Sequence, residues 1–368
     1  MRPLFAENFQ RFGELGAAIS VWQNGRSRLE LEGGFRDAHR EQPWTQDTIA
    51  LFWSATKGLG SACLLHLLQE RSIRLEAKVA DFWPEFAQAG KEAITLAQLL
   101  SHQAGLAALD QPAEITDHAA VARALEKQAP LWPPGSAHGY HARTFGFLLD
   151  ELVRRIDGRT MGKYWREIFA EPLGLDIWMG LPPEENARAA TIYAARAPGP
   201  PRDPFYRALT TPGTLQRRVF TSPHGLHAVS AMNDPANRAR SLVSLGGIGS
   251  AHSLGKFYAL LANGGELEGR RFFSETTLGQ MSTTLTSGFD RVFARPTAFS
   301  AGFMKDPPGA DPRIFGPSPA GFGHPGAGGS HAFADPENKL SFAYVMNQME
   351  QQILPNDKSL RLVAALYG

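Results

Sequence analysis

The chain has 368 residues, 43% of them hydrophobic and 20% charged, which is the composition of an ordinary globular protein. Its 37 basic and 36 acidic residues leave a formal net charge of +1, which argues against nucleic acid or an anionic membrane as a partner. The single cysteine, Cys63, excludes an intramolecular disulfide, and no apolar run is long enough for a secretory signal or a membrane span. We therefore expect a cytoplasmic protein with neither a nucleic-acid nor a membrane partner.

The first predicted element is a β-hairpin over residues 17–32. Alternating segments flank Asn24-Gly25, and both residues of this pair accept the positive φ that a tight hairpin turn requires. Residues 47–52 then lead directly into the most informative stretch of the chain, Ser54-Ala55-Thr56-Lys57.

Ser54 and Lys57 stand at the start of a predicted core helix. Residues 58–68 are apolar nearly all the way round, which is typical of a helix buried on every side. Residues three apart share a helix face, so the hydroxyl of Ser54 and the amine of Lys57 can meet. The first acid downstream is Glu70, and burial without a counter-ion should lower the pKa of Lys57 and make it a plausible base. Taken alone, the tetrapeptide favours a helix-capping serine followed by a surface lysine, since this pattern often occurs by chance.

The middle of the chain predicts helices and then a long irregular segment. Helical patterns cover residues 94–100, 146–156 and 161–172, and residues 181–240 are rich in proline. An irregular segment of that length inside a compact protein is usually a lid or a binding loop.

Regular structure returns after residue 240. Ser250 is placed to cap a helix through Leu261, residues 330–334 and 340–346 predict strands, and residues 357–366 predict a terminal helix. Strands at both ends indicate one sheet assembled from both termini. We expect an α/β lobe from residues 1–75 and 241–368, and an inserted helical lobe at 76–240 that includes the lid-like loop at 181–240.

Two further clusters bear on the chemistry. Tyr140 follows a proline-glycine turn and directly precedes a predicted helix, a position that can aim its phenol into a cleft. His324-Pro325-Gly326 opens the C-terminal hairpin, where glycine lets a substrate lie against the backbone. Pro325 cannot donate to a strand ladder, which favours an edge strand.

Together these motifs resemble the serine β-lactamase-like family, which includes class C β-lactamases, penicillin-binding-protein-type peptidases, D-aminopeptidases and family VIII carboxylesterases. Ser54-x-x-Lys57, Tyr140 and His324-x-Gly326 occur in the family's order and approximate spacing. The stretches 99–106 and 247–250 resemble two further family segments, so the similarity runs from about residue 15 to the C-terminus. The resemblance implies a β-lactamase/transpeptidase-like α+β fold. In that fold, one lobe is an α/β sandwich whose central antiparallel sheet is flanked by helices, and the inserted lobe is all-helical.

The resemblance also implies roles for individual residues. Ser54 would be the nucleophile that carries a covalent acyl group, and Lys57 and Tyr140 would share the proton transfers. Tyr140 would be ionised or hydrogen-bonded to Lys57, because an unperturbed phenol is a poor base at neutral pH. The backbone N–H groups of Ser54 and Ala327 would form the oxyanion hole. The substrate-binding candidates are His324, Gly326, Trp53 and His141.

The chain departs from the lactamase pattern at two positions. His324-Pro325-Gly326 replaces Lys-Thr-Gly, and Tyr140-His141-Ala142 replaces Tyr-x-Asn, so the groups that hold a carboxylate and an amide carbonyl are missing. This pattern favours an esterase that acts on small carboxylic esters, a small-molecule substrate, without indicating an oligomeric state.

Several alternatives stay open. The same acyl-enzyme could serve a D-amino-acid amidase or peptidase, a weak β-lactamase or an acyltransferase, and a catalytically silent binding descendant is the non-enzyme alternative. The histidine pairs of the chain lack the spacing of a metal-binding motif, and no nucleotide-binding fingerprint is present, so we expect neither a metal nor a cofactor.

Overall fold

The computed structural model of the chain describes residues 1–196 and 203–368. Its strands, in chain order, are β1 Gly16–Gln23, β2 Arg26–Gly34, β3 Ala50–Leu51, β4 Ile177–Met179, β5 Gly247–Gly249, β6 Glu266–Leu267, β7 Arg270–Arg271, β8 Thr286–Asp290, β9 Arg295–Phe299, β10 Met304–Lys305, β11 Phe322–Pro325, β12 His331–Asp335 and β13 Leu340–Met346. Its α-helices are α1 Arg2–Arg11, α2 Thr56–Glu70, α3 Leu96–Leu100, α4 His118–Lys127, α5 Thr144–Asp157, α6 Met161–Trp165, α7 Glu171–Leu173, α8 Pro204–Thr210, α9 Leu215–Thr221, α10 Pro235–Arg238, α11 Ala251–Ala262, α12 Glu275–Ser282 and α13 Asp357–Tyr367.

The main sheet has eight strands in the order β2-β1-β13-β12-β11-β10-β9-β8, and every neighbouring pair is antiparallel. The predicted hairpin is confirmed as β1 and β2, and Asn24 and Gly25 both have positive φ in the turn between them. The C-terminal hairpin is confirmed as β12 and β13.

The two ends of the chain meet inside this sheet. Strand β1 pairs with β13, with Ala17 opposite Met346, which confirms that both termini build one sheet. Helix α1 packs near Gly33, and α11 packs against Ser20. Gly33 is paired with Ala17, which is three residues from Ser20 in β1, so Gly33 and Ser20 lie on opposite faces of the sheet. The central antiparallel sheet is therefore flanked by helices on both sides. Ser250 caps α11 as predicted, because its side chain accepts a hydrogen bond from the backbone N–H of Ser253.

Strand β11 corrects one expectation. Pro325 favoured an edge strand, but β11 lies inside the sheet between β12 and β10. The proline is tolerated because β10 pairs with β11 only at Met304 and Gly323, so no ladder partner needs an N–H from residue 325 on that side.

Helix α2 runs through the core and carries the site region. It is buried along nearly its whole length, as its apolar composition predicted, and it packs against α5 and α6. Cys63 lies within it, and burial raises the pKa of this thiol well above its usual value, as expected of a packed core cysteine.

In the described residues between 76 and 240, the regular structure consists of helices and one strand, β4. Strand β4 pairs with β5, which also pairs with β3, in a small three-stranded sheet. Within the proline-rich segment the described residues form three short α-helices, α8 to α10, and two 3-10 helices, Pro183–Arg188 and Val229–Asn233. Residues 197–202 of the predicted lid-like loop lie outside the described residues. No helix in the described part of the chain is both long enough and apolar enough to cross a bilayer.

Candidate active site

Ser54 lies on a 3-10 turn, Trp53–Ala55, that leads into α2. The turn is held from both sides: the N–H of Phe52 donates to the carbonyl of Gly247 over 2.8 Å, and the hydroxyl of Thr56 donates to the carbonyl of Trp53 over 2.6 Å. Trp53 has a φ of +51°, an uncommon conformation for a bulky residue, so the backbone is strained directly before Ser54. The side chain of Ser54 forms no helix cap, which removes the simpler interpretation of the tetrapeptide.

Lys57 is completely buried, and its amine faces Ser54. Its Nζ donates to the carbonyls of Ala142 over 2.7 Å and of Ser244 over 2.8 Å, and it lies 3.4 Å from the Oγ of Ser54. Burial, and after it the charge of Arg143, lower the pKa of Lys57 well below its usual value. A neutral amine has two hydrogens and one lone pair. When the amine is neutral, the two short carbonyl contacts use both of its hydrogens, which leaves the lone pair for the Ser54 hydroxyl.

Tyr140 is buried beside this pair. Its ring stacks on Phe293 with centroids 4.6 Å apart, and the Nζ of Lys57 lies 4.9 Å from the Tyr140 ring centroid. Burial raises the pKa of Tyr140, and a hydrogen bond with Ser54 only partly offsets this effect. Near neutral pH the phenol is therefore protonated. Lys57 contacts the ring face, whereas the sequence predicted a hydrogen bond to the phenol or a phenolate.

Asp290 positions Tyr140 and was missed by the sequence analysis. This buried carboxylate accepts hydrogen bonds from the backbone N–H groups of Tyr140 (3.2 Å), Val292 (2.8 Å) and Phe293 (2.8 Å). An aspartate that accepts N–H groups two and three residues ahead is a local turn signal. The contact with Tyr140, 150 positions earlier in the chain, leaves no trace in the sequence.

The backbone N–H groups of Ser54 and Ala327 are both available as donors. In the described chain neither of them donates a hydrogen bond to another protein group. The N–H of Gly326 donates to the carbonyl of Ser330, and the N–H of Gly328 donates to the carbonyl of Gln352. The free N–H of Ala327 in the described chain therefore lies between two N–H groups that already have acceptors. Ser54 and Ala327 line the same cavity.

This cavity is small and mostly apolar. The centre of a water-sized sphere can occupy about 20 Å³ inside this cavity. This space holds about one water molecule when no side chain moves. Its lining consists of Ser54, Tyr140, Phe220, Phe293, Met304, His324, Pro325, Ala327, Ile353 and Leu354. The apolar wall, which no sequence motif indicates, comes from α9, the β8–β9 turn, β10 and the loop before α13.

His324 lines the cavity as a neutral imidazole. Its Nδ1 donates to the carbonyl of Pro325 over 2.8 Å, which leaves Nε2 as an acceptor without a partner in the described chain. Burial lowers the pKa of His324 to about 3. An uncharged acceptor here cannot attract a substrate carboxylate.

His141 and Trp53 are not among the residues that line the cavity. The Nδ1 of His141 donates to the carbonyl of Gly139 over 2.7 Å, and its Nε2 accepts from the N–H of Leu106 over 2.9 Å. Both ring nitrogens thus hold backbone in place, and burial lowers the pKa of His141 to about 4. The structure thus places both ring nitrogens of His141 in backbone contacts, and its substrate contact stays a prediction. Trp53 is half-buried and packs against the core.

Comparison with known proteins decides the family. A family model described as Beta-lactamase matches residues 5–366. The chain belongs to the beta-lactamase family. It is 32% identical over 369 residues to "Esterase/beta-lactamase LipL" of Mycobacterium tuberculosis, and the alignment covers 96% of this chain and 82% of that protein.

Two solved structures resemble this beta-lactamase family member over its whole length. A penicillin-binding protein homologue from Caulobacter crescentus is 37% identical with a TM-score of 0.88, and a family VIII carboxylesterase is 34% identical with a TM-score of 0.89. Each comparison covers 100% of this chain and 95% of the other. The fold is thus the β-lactamase/transpeptidase-like α+β fold, and the chain is a serine hydrolase of this family.

Proposed function

We propose that this chain is a carboxylesterase that hydrolyses small, uncharged carboxylic esters through an acyl-enzyme on Ser54. The observation that carries the proposal is the completely buried amine of Lys57, which donates to two backbone carbonyls and lies 3.4 Å from Ser54 Oγ. A lysine held neutral in this way is a base at neutral pH, and a base within reach activates a serine.

In the proposed acylation step, Ser54 Oγ attacks the ester carbonyl and its proton passes to Lys57. The carbonyl oxygen becomes an oxyanion that accepts hydrogen bonds from the N–H groups of Ser54 and Ala327, and each such donor typically lowers the barrier by about 3 kcal/mol. The C–O bond to the alcohol then breaks, and the neutral hydroxyl of Tyr140 donates its proton to the leaving oxygen. Tyr140 recovers a proton from Lys57 after the amine moves from the ring face, where it lies 4.9 Å from the ring centroid, to the phenol oxygen. Lys57 is neutral again and can accept a proton from the water that hydrolyses the acyl-enzyme.

The walls of the cavity support esters over peptides. No charged side chain is among the lining residues, and His324 is neutral there. A substrate carboxylate or ammonium group would lose its hydration without gaining a partner, which costs several kcal/mol. The small cavity favours short acyl groups. The names of LipL and of the family VIII carboxylesterase agree with an esterase, and the former also motivates a test of β-lactam hydrolysis.

A substrate panel tests the proposal: p-nitrophenyl acetate and butyrate, a D-alanine p-nitroanilide, and nitrocefin. We expect kcat/KM to be highest for the short esters and to be lost in Ser54→Ala. Ser61→Ala is the matched control, since Ser61 is buried in the same helix and donates to the carbonyl of Gly302, away from the cavity. Higher activity on the anilide would favour an amidase, and equal turnover by Ser54→Ala would overturn the proposal.

A further inference from the structure

Arg143 is a buried cation close to the candidate site. It is the N-cap residue of α5 and is 4% exposed. Its guanidinium donates to the carbonyls of Phe220 and Gly225 and contacts Nδ1 of His227 over 3.0 Å. No carboxylate pairs with it in the described chain, so its charge is balanced only by neutral acceptors. Burial lowers the pKa of Arg143 to about 10, which still leaves it charged near pH 7.

The backbone of Arg143 also frames Lys57. The residue before it, Ala142, offers one of the two carbonyls that bind the Lys57 amine. The other belongs to Ser244, whose hydroxyl donates to the carbonyl of Arg143 over 2.9 Å. Phe220, whose carbonyl accepts from the guanidinium, lines the cavity. Arg143 therefore connects the Lys57 environment to one wall of the cavity.

The histidines and the tyrosine around Lys57 are neutral near pH 7. Burial lowers the pKa values of His102, His141 and His324 and raises that of Tyr140. Asp290 lies behind Tyr140, where it is occupied by backbone N–H groups, and burial raises its pKa. Among these groups in the described chain, Arg143 therefore brings the full positive charge that repels a proton on Lys57, which adds to the larger effect of burial.

We propose that Arg143 is a positioning residue for the reaction: its unbalanced charge keeps Lys57 unprotonated, and its guanidinium holds Phe220 in the cavity wall. This inference rests on the proposed Ser54 and Lys57 chemistry and deepens it.

The test measures how fast a small fluorophosphonate modifies Ser54, as a function of pH, by intact-protein mass. Ser54 Oγ attacks phosphorus, fluoride leaves, and the proton goes to the base, so the rate reports the neutral fraction of Lys57 without turnover. The labelling rate should fall at low pH as Lys57 becomes protonated, and this falling part of the pH profile is the acidic limb. For Arg143→Met we expect the acidic limb to move to higher pH. At a pH on that limb, the labelling rate of each protein is divided by its own plateau rate. This ratio should be about threefold or more lower in Arg143→Met than in the wild-type protein, as expected for removing one nearby charge. Arg143→Gln provides the same neutral substitution if Arg143→Met does not fold.

Two controls separate charge from packing. Arg143→Lys keeps the charge and should keep the acidic limb at the wild-type pH. In the same variant, a loosened Phe220 wall should raise KM for p-nitrophenyl acetate. Arg238 is matched in burial and also donates to backbone carbonyls, those of Met232 and Ala190, so Arg238→Met should leave the limb in place.

The outcomes distinguish the two proposals. If the wild-type protein shows labelling at Ser54 with an acidic limb and the neutral Arg143 variants superimpose on it, the role of Arg143 is wrong and the esterase proposal stands. If the wild-type protein is not labelled at Ser54, the esterase proposal itself fails. A limb that moves equally in Arg238→Met would assign the effect to loss of packing and would also overturn the role of Arg143.

Discussion

Gly326 lies against the backbone of Phe52 so closely that a Cβ at residue 326 would sit 2.1 Å from the Phe52 carbonyl oxygen. The end of β11 therefore touches the turn that carries Ser54, with no room for a side chain between them. Since Ala327 follows Gly326 directly, this contact sets the distance between the N–H groups of Ser54 and Ala327. A glycine is required here for close approach, because its φ is in the ordinary extended region.

Gly326→Ala should separate the two backbone donors. We expect kcat/KM for p-nitrophenyl acetate to fall by about 100-fold or more, the typical effect of losing one oxyanion donor. Gly279→Ala in α12 is the control, since no atom lies within 4 Å of its added Cβ, and it should leave activity unchanged. Wild-type activity in Gly326→Ala would contradict the proposed oxyanion hole.

Lys57 and Tyr140 should respond differently to the leaving group. Because Lys57 must be neutral to accept a proton, kcat/KM should fall as the pH drops through its lowered pKa, and Lys57→Met should lose activity on all esters. Tyr140→Phe keeps the stacked ring and removes only the hydroxyl that protonates the alcohol. It should reduce kcat/KM by about 100-fold or more for an alkyl ester and much less for a p-nitrophenyl ester, which leaves without a proton.

Tyr164→Phe is the control for this comparison, because Tyr164 is a buried tyrosine whose hydroxyl contacts Nδ1 of His66 and which does not line the cavity. It should leave the ratio of alkyl to aryl ester hydrolysis unchanged. Equal losses on both esters in Tyr140→Phe would argue against proton delivery by Tyr140.

Asp290→Asn should affect both stability and turnover. The amide loses the charge that accepts three backbone N–H groups, so we expect the free energy of unfolding in urea to fall by about 2 kcal/mol. Since one of those groups belongs to Tyr140, kcat should also fall. Asp306→Asn is matched, because Asp306 accepts the N–H groups of Ile314 and Phe315 away from the cavity. It should lose stability alone, and an equal loss of kcat there would contradict the positioning role.

His331 predicts a pH dependence of stability. It is completely buried among aromatic rings, and burial lowers its pKa to about 3. The unfolded chain binds this proton near pH 6.5 and the folded chain does not, so the free energy of unfolding falls as the pH drops below about 6.5. His331→Phe should reduce this slope by up to about 1.4 kcal/mol per pH unit between pH 6 and 4 in urea titrations. His39→Gln, at an exposed position, should leave the slope unchanged, and an unaltered slope in His331→Phe would refute the assignment.

The elements that the sequence predicted are those specified by local rules. The Asn24-Gly25 hairpin, the Ser250 cap and the apolar helix after Ser54 all follow from turn chemistry, capping and periodicity within a few residues. The proximity of Ser54 and Lys57 followed from helix spacing. None of these predictions depended on contacts between distant segments.

The parts that the sequence could not predict depend on contacts between distant segments. One wall of the cavity is formed by residues from three separate segments, Phe220, Phe293 and Leu354. No motif lies beside any of them in the sequence. His141 was assigned to substrate because it adjoins Tyr140, yet its ring nitrogens bind backbone. Adjacency in sequence does not determine which side chain faces a cavity.

The most direct test of the central claim is the mass of the protein during turnover of a slowly hydrolysed ester, quenched in acid and followed by peptide mapping. We predict an added acyl group on the peptide that contains Ser54, with a burst of about one alcohol released per chain, and no adduct in Ser54→Ala. Full esterase turnover with no acyl group on Ser54, or with the group on another residue, would contradict the account.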